Sequence, residues 1–226
     1  MKFMEYKYEM HCHTKTGSRQ CGRTEPKEIV RLYKEQGYSG IVVTDHYSPL
    51  TFNLTHGILN PKKYIDFYIG AYYDMKQYED DDFSVMFGME LRHYGTGNDY
   101  LIYGVDDLWL KEQGNLLAVM EKKMYRIMHE QGYLVYQAHP FRPYITRCNP
   151  AYIDGIEVFN GKTPLKENLK AEQWAKATGK LMISGSDFHV LKNLAKGGII
   201  TDHRIRNNAE LLETLRSMNF KMIKNY

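Results

Sequence analysis

Six short motifs that are rich in metal-ligand side chains recur along this sequence. They are His11-Cys12-His13, Thr44-Asp45-His46, Gly88-Met89-Glu90, Ala138-His139-Pro140, Glu157 to Asn160, and Asp187-Phe188-His189. Imidazoles and carboxylates together bind several first-row divalent ions. Because the motifs come from the whole length of the chain, they predict a site that holds more than one metal ion. Such a site is typical of metal-dependent hydrolases.

Two of the motifs place ligand side chains two residues apart, as His11 with His13 and as Asp187 with His189. On a β-strand, residues i and i+2 face the same side. Each pair could therefore hold one ion from the end of its strand.

Single ligands are expected in the other motifs. Glu90 could bridge two ions through its two oxygens, or it could form an ion pair with Arg92. His46 is a candidate ligand that Asp45 would orient; alternatively, Asp45 caps a turn and His46 is simply exposed. Pro140 fixes the turn that follows His139 and so leaves the imidazole at the strand end.

Substrate contacts are expected beside these ligands. Arg142 follows His139 by three residues and could clamp a phosphate, because guanidinium binds phosphate bidentately; a surface ion pair is an equal alternative. Arg19 is a weaker candidate for the same task. Asn160 could touch substrate or bound water, and Glu157 could act directly or form a structural ion pair.

The elements that must position these residues alternate between strands and helices. Strands are predicted at 6–12, 39–44, 84–91, 100–105, 133–138, 153–159, 181–184 and, as a short one, 198–201. Helices are predicted at 24–37, 61–79, 115–131, 163–179 and 209–218, with Thr24 and Thr163 as N-caps. Alternation of this kind favours βαβ units and a parallel sheet.

About seven such units in 226 residues fit a closed barrel better than an open sheet. We therefore expect one α/β domain over 1–226. In barrels of this kind the catalytic groups lie at the carboxyl ends of the strands, which is where each motif falls. In the helix at 115–131, Met120, Met124 and Met128 are expected in the core, and the tyrosine-rich segment 64–73 is expected to pack on the barrel. His56, His129 and His203 are expected at the surface.

The charge balance and the amino-terminal residues narrow the partners and the location that we expect. The chain has 30 basic and 27 acidic residues and a formal net charge of +3, so we do not expect duplex nucleic acid as a partner. Its amino-terminal residues carry charges where a signal peptide needs an apolar stretch, and no apolar run is long enough for a bilayer, so a cytoplasmic location without membrane contact is expected.

The three cysteines lack CxxC spacing and are expected to be reduced thiols. Cys12 lies between two ligand candidates on a strand, so its side chain should point the other way, into packing. A zinc-ligand role for Cys21 or Cys148 is an alternative to a small buried thiol.

In this order, the motifs HxH, TDH, GxE, AHP and SDxH resemble those of the PHP (polymerase and histidinol phosphatase) domain family over nearly the whole chain. The resemblance implies a distorted (β/α)7 TIM-like barrel with two or three divalent ions (zinc, manganese or iron) at the carboxyl face. It implies three sets of ligands: His11, His13, Glu90 and Asp187 for one ion, Glu90 and His139 for a second, and His46 and His189 for a third.

The sequence departs from the family pattern in two places. The family usually has an acidic residue or histidine shortly after HxH, and residues 14–23 contain neither. The family also often has a histidine after GxE, where this chain has Asp99 or Tyr100. Asp99 could substitute for it, or His93 could contribute instead.

The resemblance implies a metal-dependent phosphoesterase. We expect a small-molecule phosphate ester as substrate, similar to histidinol phosphate, a nucleotide or a sugar phosphate. A metal-bound hydroxide would attack phosphorus, with Asp45 or His189 handling protons and Arg142 neutralising charge. The alternatives are a non-catalytic metal-binding barrel and, less favoured, a nuclease.

Overall fold

A computed structural model describes residues 5–54, 60–113 and 115–226 of the chain. The helices are α1 (Pro26–Glu35), α2 (Pro49–Leu54), α3 (Pro61–Lys76), α4 (Asp107–Glu112), α5 (Glu121–Glu130), α6 (Leu165–Thr178) and α7 (Asn208–Ser217). The strands are β1 (Tyr6–Cys12), β2 (Tyr38–Val43), β3 (His46–Tyr47), β4 (Ser84–Arg92), β5 (Asp99–Tyr103), β6 (Leu134–Gln137), β7 (Gly155–Asn160), β8 (Leu181–Gly185), β9 (Gly197–Thr201) and β10 (Lys221–Lys224). His56 lies outside the described residues.

The strands form a nearly closed, barrel-shaped sheet. Its order runs β10-β9-β1-β2-β4-β5-β6-β7-β8, and β3 pairs with β4. The chain after β8 returns to β1 through a parallel bridge between Cys12 and Phe188. In that bridge the Phe188 amide donates to the His11 carbonyl, and the His13 amide donates to the Phe188 carbonyl, both at 3.0 Å. Seven strands therefore surround the barrel, as expected: β1, β2, β4, β5, β6, β7 and β8.

The expected parallel sheet is parallel only in part. β5 runs antiparallel to both β4 and β6, because only residues 93–98 connect β4 to β5 and a parallel crossover needs a longer connection. β9 pairs antiparallel with β1, and β10 pairs antiparallel with β9. The metal-ligand motifs still fall at the ends of β1, β4, β6 and β8.

The barrel interior and the layer between sheet and helices form two separate cores. Tyr8, Met10 and Tyr103 belong to the inner core, together with Leu211 and Leu215 of α7. The outer core contains the buried faces of α1, α3 and α5. Apolar burial on both sides of the strands is what allows a barrel of this size to be stable.

The tyrosine-rich helix α3 packs on the barrel, as expected. Tyr64, Tyr68 and Tyr72 are buried, and the Tyr72 ring lies 4.7 Å from the Phe87 ring of β4. Tyr73, on the opposite side, is exposed. Among the described residues, no helix has the length and apolarity that crossing a bilayer requires.

The helix predicted at 115–131 was wrong in its first half. Residues Leu116–Ala118 form a 3-10 turn that the Asn115 side chain caps, and α5 begins only at Glu121. Met120 is extended (φ −69°, ψ 153°) and 81% exposed, so it does not belong to the core. Met124 and Met128 are fully buried, as expected.

Two helix starts also differ from the prediction. The N-cap of α1 is Glu25, because Pro26 keeps the residue before it in an extended conformation. The N-cap of α6 is Pro164. The Thr163 hydroxyl instead accepts a hydrogen bond from Arg142 Nε at 2.8 Å. The short elements β3, α2, α4 and β10 were not predicted.

Candidate metal centre

A β-bulge in β1 turns the first two histidines inward. The pairing register of β1 with β2 shifts between Glu9 and Cys12. The Glu9 carboxylate stabilises the bulge, since its Oε1 accepts from the amides of Met10 (3.0 Å) and His11 (2.9 Å). Bulges beside active sites commonly re-aim side chains in this way. Cys12 consequently points into the outer core, as expected.

The structure brings all seven predicted ligands together at the carboxyl ends of the strands. Their ligand atoms form three groups in which all atoms lie within 4.8 Å of one another. The groups are His11, Glu90 and His139; His11, His13 and Asp187; and His13, His46 and His189. These groups are similar to the three sets that the family resemblance implies, except that His13 also approaches His46 and His189.

The unsatisfied atoms of this cluster fit bound cations. His11 and His13 are fully buried, and among the described residues neither Nε2 atom has a partner with hydrogen-bond geometry. The nearest carboxylate oxygens, from Glu90 and Asp187, lie 3.2 to 3.6 Å from these nitrogens. Buried polar atoms are rarely left without partners. Imidazole and carboxylate donors converging on one point are the chemistry that divalent ions require.

The Glu157 carboxylate fixes the orientation of the His11 ring through its Nδ1 atom. Its Oε1 lies 2.8 Å from His11 Nδ1, and its Oε2 accepts from the His139 amide and from Asn160 Nδ2, both at 2.9 Å. A carboxylate on Nδ1 fixes the imidazole tautomer that leaves Nε2 free to bind metal.

The Asp45 carboxylate accepts hydrogen bonds from the loop that follows β1. Its Oδ1 accepts from the Thr14 amide and the Ser18 hydroxyl, both at 2.7 Å, and its Oδ2 accepts from the Thr14 hydroxyl at 2.6 Å. Ser18 Oγ in turn lies 3.1 Å from His13 Nδ1 and accepts from the His46 amide at 3.0 Å. Asp45 therefore positions two ligand candidates through Ser18, a residue that the sequence did not single out.

Two ligand candidates have left-handed backbone conformations. His139 has φ 30° and Asp187 has φ 51°. Such values are uncommon for residues other than glycine, and the strain tends to occur at functional sites. The backbone at both strand ends is thus held by its surroundings in the conformation that aims these side chains inward.

The charges of the cluster stabilise one another. Burial acts to lower the pKa of His11, but Glu157, Asp187 and Glu90 outweigh it and hold that pKa well above its usual range. Burial acts to raise the pKa of Glu90 and of Asp187, but neighbouring cationic side chains keep both pKa values well below the usual range. Burial and the two nearby imidazoles lower the pKa of His13. The site without metal is therefore a balanced set of carboxylates and imidazoles.

Arg142 lies beside this cluster. Its guanidinium pairs with Asp187 Oδ2 at 2.6 Å and donates to Asn160 and Thr163. Arg142 is therefore neither a free clamp nor a simple surface pair: it contacts a ligand candidate while it lines the cavity. Arg19 lies elsewhere, with its guanidinium 4.6 Å from the centre of the Phe67 ring and outside the residues that line the cavity.

A cavity of about 420 Å³ opens over the cluster. Its walls include His46, Glu90, His139, Asp187 and His189, and they also carry the cationic side chains of Arg92, Arg142 and Lys162. Lys162 Nζ lies 3.3 Å from His189 Nδ1 and 3.6 Å from Asp187 Oδ1. A small anion that enters this cavity meets both the ligand cluster and positive charge.

Known proteins share this fold. A family model described as PHP-associated matches residues 166–219. Similar folds occur in a two-domain protein from Bacteroides vulgatus that contains a predicted PHP-like metal-dependent phosphoesterase (17% identity, TM-score 0.64) and in PsfC from Pseudomonas syringae (13% identity, TM-score 0.67). The chain therefore shares its fold with PHP-like proteins. No curated protein matches the sequence.

The shares of each chain that align differ between these proteins. The comparisons cover 98% of this chain in both cases, but 65% of the Bacteroides protein and 92% of PsfC. The lesion-specific endonuclease EndoQ from Pyrococcus furiosus is also similar, at 15% identity and a TM-score of 0.66, over 97% of this chain and 58% of the endonuclease. The chain thus spans about two thirds or less of the length of two of these three proteins.

One departure from the PHP pattern has a substitute in the structure. Asp99 lies at the start of β5, with Oδ2 3.8 Å from His139 Nε2, and it is held by Arg92 Nε at 2.6 Å. Tyr100 is buried in the outer core, and the His93 ring packs 5.7 Å from it. Asp99, and not His93, therefore faces the ligand cluster.

The loop with the other departure carries Cys21, whose role the sequence left open. The Cys21 thiol is half-buried, lines the cavity and donates to the Ser18 carbonyl at 3.8 Å. Burial acts to raise its pKa, but the imidazoles of His189 and His46 outweigh it and lower the pKa to about 6. Cys148 is buried in the outer core, away from the ligand cluster, as a structural thiol.

Proposed function

We propose that this protein is a metal-dependent phosphoesterase that hydrolyses a small-molecule phosphate ester, similar to histidinol phosphate, a nucleotide or a sugar phosphate. The observation that carries the proposal is the cavity, which five of the seven ligand candidates line together with the cations Arg92, Arg142 and Lys162. A phosphate ester needs both elements, because its charge must be neutralised as the ester bond breaks.

Bound divalent ions would supply positive charge that polarises the ester and makes water more acidic. His11, His13, Glu90, His139 and Asp187 would hold the ions of the deeper part of the site, and His46 and His189 would hold an ion nearer its mouth. Glu90 lies between these parts, since its Oε1 is 3.1 Å from His139 Nε2 and its Oε2 is 2.6 Å from His46 Nδ1.

Lys162 and Arg142 would contact the phosphate. Lys162 is the more accessible of the two, with 32% of its side chain exposed against 20% for Arg142. Arg142 would also keep Asp187 in place through their ion pair. Asn160 donates to Glu157 and Asp187, so its contribution would be to position these carboxylates.

The two residues expected to handle protons fit that role unequally. A nitrogen that binds a metal ion cannot deliver a proton, so His189, within the three-histidine group, fits better as a ligand. The hydrogen bonds of Asp45 with Thr14 and Ser18 support a positioning role. Proton transfer to the leaving group would then fall to solvent or to Lys162.

The test is metal-dependent phosphate release by protein that has been stripped with a chelator and reloaded with zinc, manganese or iron. The panel contains an aryl phosphate, histidinol phosphate, nucleotides, sugar phosphates and a single-stranded oligonucleotide. We expect release from at least one small ester only after reloading. Cleavage of the oligonucleotide alone would support the nuclease alternative, and no turnover by fully loaded protein would support the non-catalytic one.

A variant at the site separates true activity from contamination. His139→Asn removes the imidazole while keeping a residue that tolerates the left-handed backbone at this position. We expect its activity to fall to the metal-free level. His129→Asn, on the exposed face of α5, is the matched control and should retain full activity. Full activity in His139→Asn would overturn the assignment of this residue.

A further inference from the structure

The segment Thr14–Arg23, which we call the Cys21 loop, folds back over the mouth of the cavity. Within it, the amides of Cys21 (3.0 Å) and Gly22 (2.7 Å) donate to the Ser18 carbonyl. The Arg23 amide donates to the His189 carbonyl at 3.1 Å, which ties the end of the loop to the strand-end motif of β8. At its other end, the Thr14 amide donates to Asp45 Oδ1 at 2.7 Å, so both ends of the loop are held beside the ligand cluster.

Two glycines make this close approach possible. A Cβ atom at Gly17 would lie 2.1 Å from Asp45 Oδ2, and one at Gly22 would lie 2.2 Å from the Thr14 carbonyl oxygen. Real Cβ atoms do not come so close to other atoms, so larger residues would push the loop outward. The position of Cys21 is consequently fixed by the packing of its neighbours.

The loop places the Cys21 thiol in the same cavity as the imidazoles of His46 and His189. The thiol donates to the Ser18 carbonyl at 3.8 Å. His46 begins β3 and His189 lies in the segment after β8, so three separate parts of the chain meet at this cavity. The thiol therefore faces the cavity beside two ligand candidates and not the packed core.

A third imidazole points into the same place without a partner. His13 is fully buried, and its Nε2 has no hydrogen-bond partner among residues 5–54, 60–113 and 115–226. Its ring centre lies 4.3 Å from that of His46 and 4.1 Å from that of His189. The ligand atoms of these three histidines lie within 4.8 Å of one another.

We propose that Cys21 is a thiolate ligand that, with His46 and His189 and with His13 within reach, forms a zinc-selective site at the mouth of the cavity. This inference rests on the metal centre of the proposed function and deepens it. Sulfur and imidazole donors favour zinc, whereas the carboxylate-rich set around Glu90 and Asp187 accepts zinc, manganese or iron. The two parts of the site would therefore differ in metal preference.

Cobalt(II) substitution tests the proposal without relying on activity. Protein stripped by a chelator is titrated with Co²⁺, and its absorption is recorded through the near ultraviolet, where a thiolate bound to cobalt gives a charge-transfer band. We expect this band in the wild-type protein and its loss in Cys21→Ser, together with the loss of one equivalent of bound metal per chain. Cys148→Ala, in the outer core, is the matched control and should keep both the band and the stoichiometry.

A rescue variant excludes a merely structural effect of Cys21. In Cys21→Asp, a carboxylate can take the place of the thiolate, so the lost equivalent of metal should return while the band stays absent. Cobalt binding by the wild-type protein without the band, or an unchanged band in Cys21→Ser, would overturn this proposal alone. No cobalt binding by the wild-type protein would overturn the metal centre itself, and with it the proposed function.

Discussion

The hydrogen bond between Glu157 and His11 offers a direct test of how the metal centre is built. Replacing Glu157 by glutamine keeps the size of the side chain but turns one oxygen into an NH₂ group. At the Oε1 position, that group would donate to His11 Nδ1 and force the proton onto Nε2, which could then not bind metal. At the Oε2 position, it would face the N–H donors of His139 and Asn160.

Either orientation of the glutamine is costly, which sets the expected magnitude. Loss of a carboxylate that supports a metal-binding histidine typically weakens metal affinity by about 10- to 100-fold. That range corresponds to about 1.4 to 2.7 kcal/mol of binding free energy. In the metal-free protein, one buried donor without a partner lowers the free energy of unfolding by about 1–3 kcal/mol.

The assay is a competition titration of metal-free protein with zinc or manganese against a chelating indicator, which gives both the dissociation constants and the number of sites. Glu213→Gln, exposed on α7, is the control and should leave both unchanged. Urea unfolding of the two metal-free variants measures the stability change. Metal affinity of Glu157→Gln within about threefold of the wild type would refute the reasoning, because the tautomer of His11 would then not depend on Glu157.

Two further predictions concern the supports of the site. Tyr68→Phe should lower the free energy of unfolding of the metal-free protein, measured in urea, by only about 1 kcal/mol. The Asp45 carbonyl, which accepts a hydrogen bond from Tyr68 at 2.7 Å, keeps a second donor in the Glu90 amide at 3.1 Å. A loss above about 3 kcal/mol would contradict this reasoning. In the metal-free protein at pH 7, iodoacetamide should modify Cys21, whose pKa is lowered to about 6, before Cys148, whose pKa burial raises. Because the thiolate is the reactive form, the rate at Cys21 should fall as the pH drops through about 6, as peptide mass spectrometry would show; earlier modification of Cys148 would contradict the assigned positions.

Much of the metal centre follows from local features of the sequence. A run of buried strand residues followed by His11-x-His13 or Asp187-x-His189 places ligand side chains at a strand end, since strand periodicity is a local property. Alternating strands and helices then bring those ends to one face. The ligand candidates and the barrel could therefore be predicted from the sequence.

The predictions of the fold were wrong where local sequence patterns compete with long-range contacts. Met120 continues the helical spacing of Met124 and Met128, but an extended residue at that point separates a 3-10 turn from α5. β5 reads as an ordinary strand, and its antiparallel direction follows from the length of the connection before it. Spacing alone does not encode either outcome, because both depend on the neighbouring elements in space.

The sequence by itself determined which side chains gather at the strand ends, because the strand and helix patterns that position them are local. Only the tertiary structure decided which residues support them. Glu157 reaches His11 and Cys21 reaches His46 through contacts between segments far apart in the chain. Such contacts depend on a bulge, on two glycines that admit a close loop, and on the closure of the barrel, and no pattern along the chain records them.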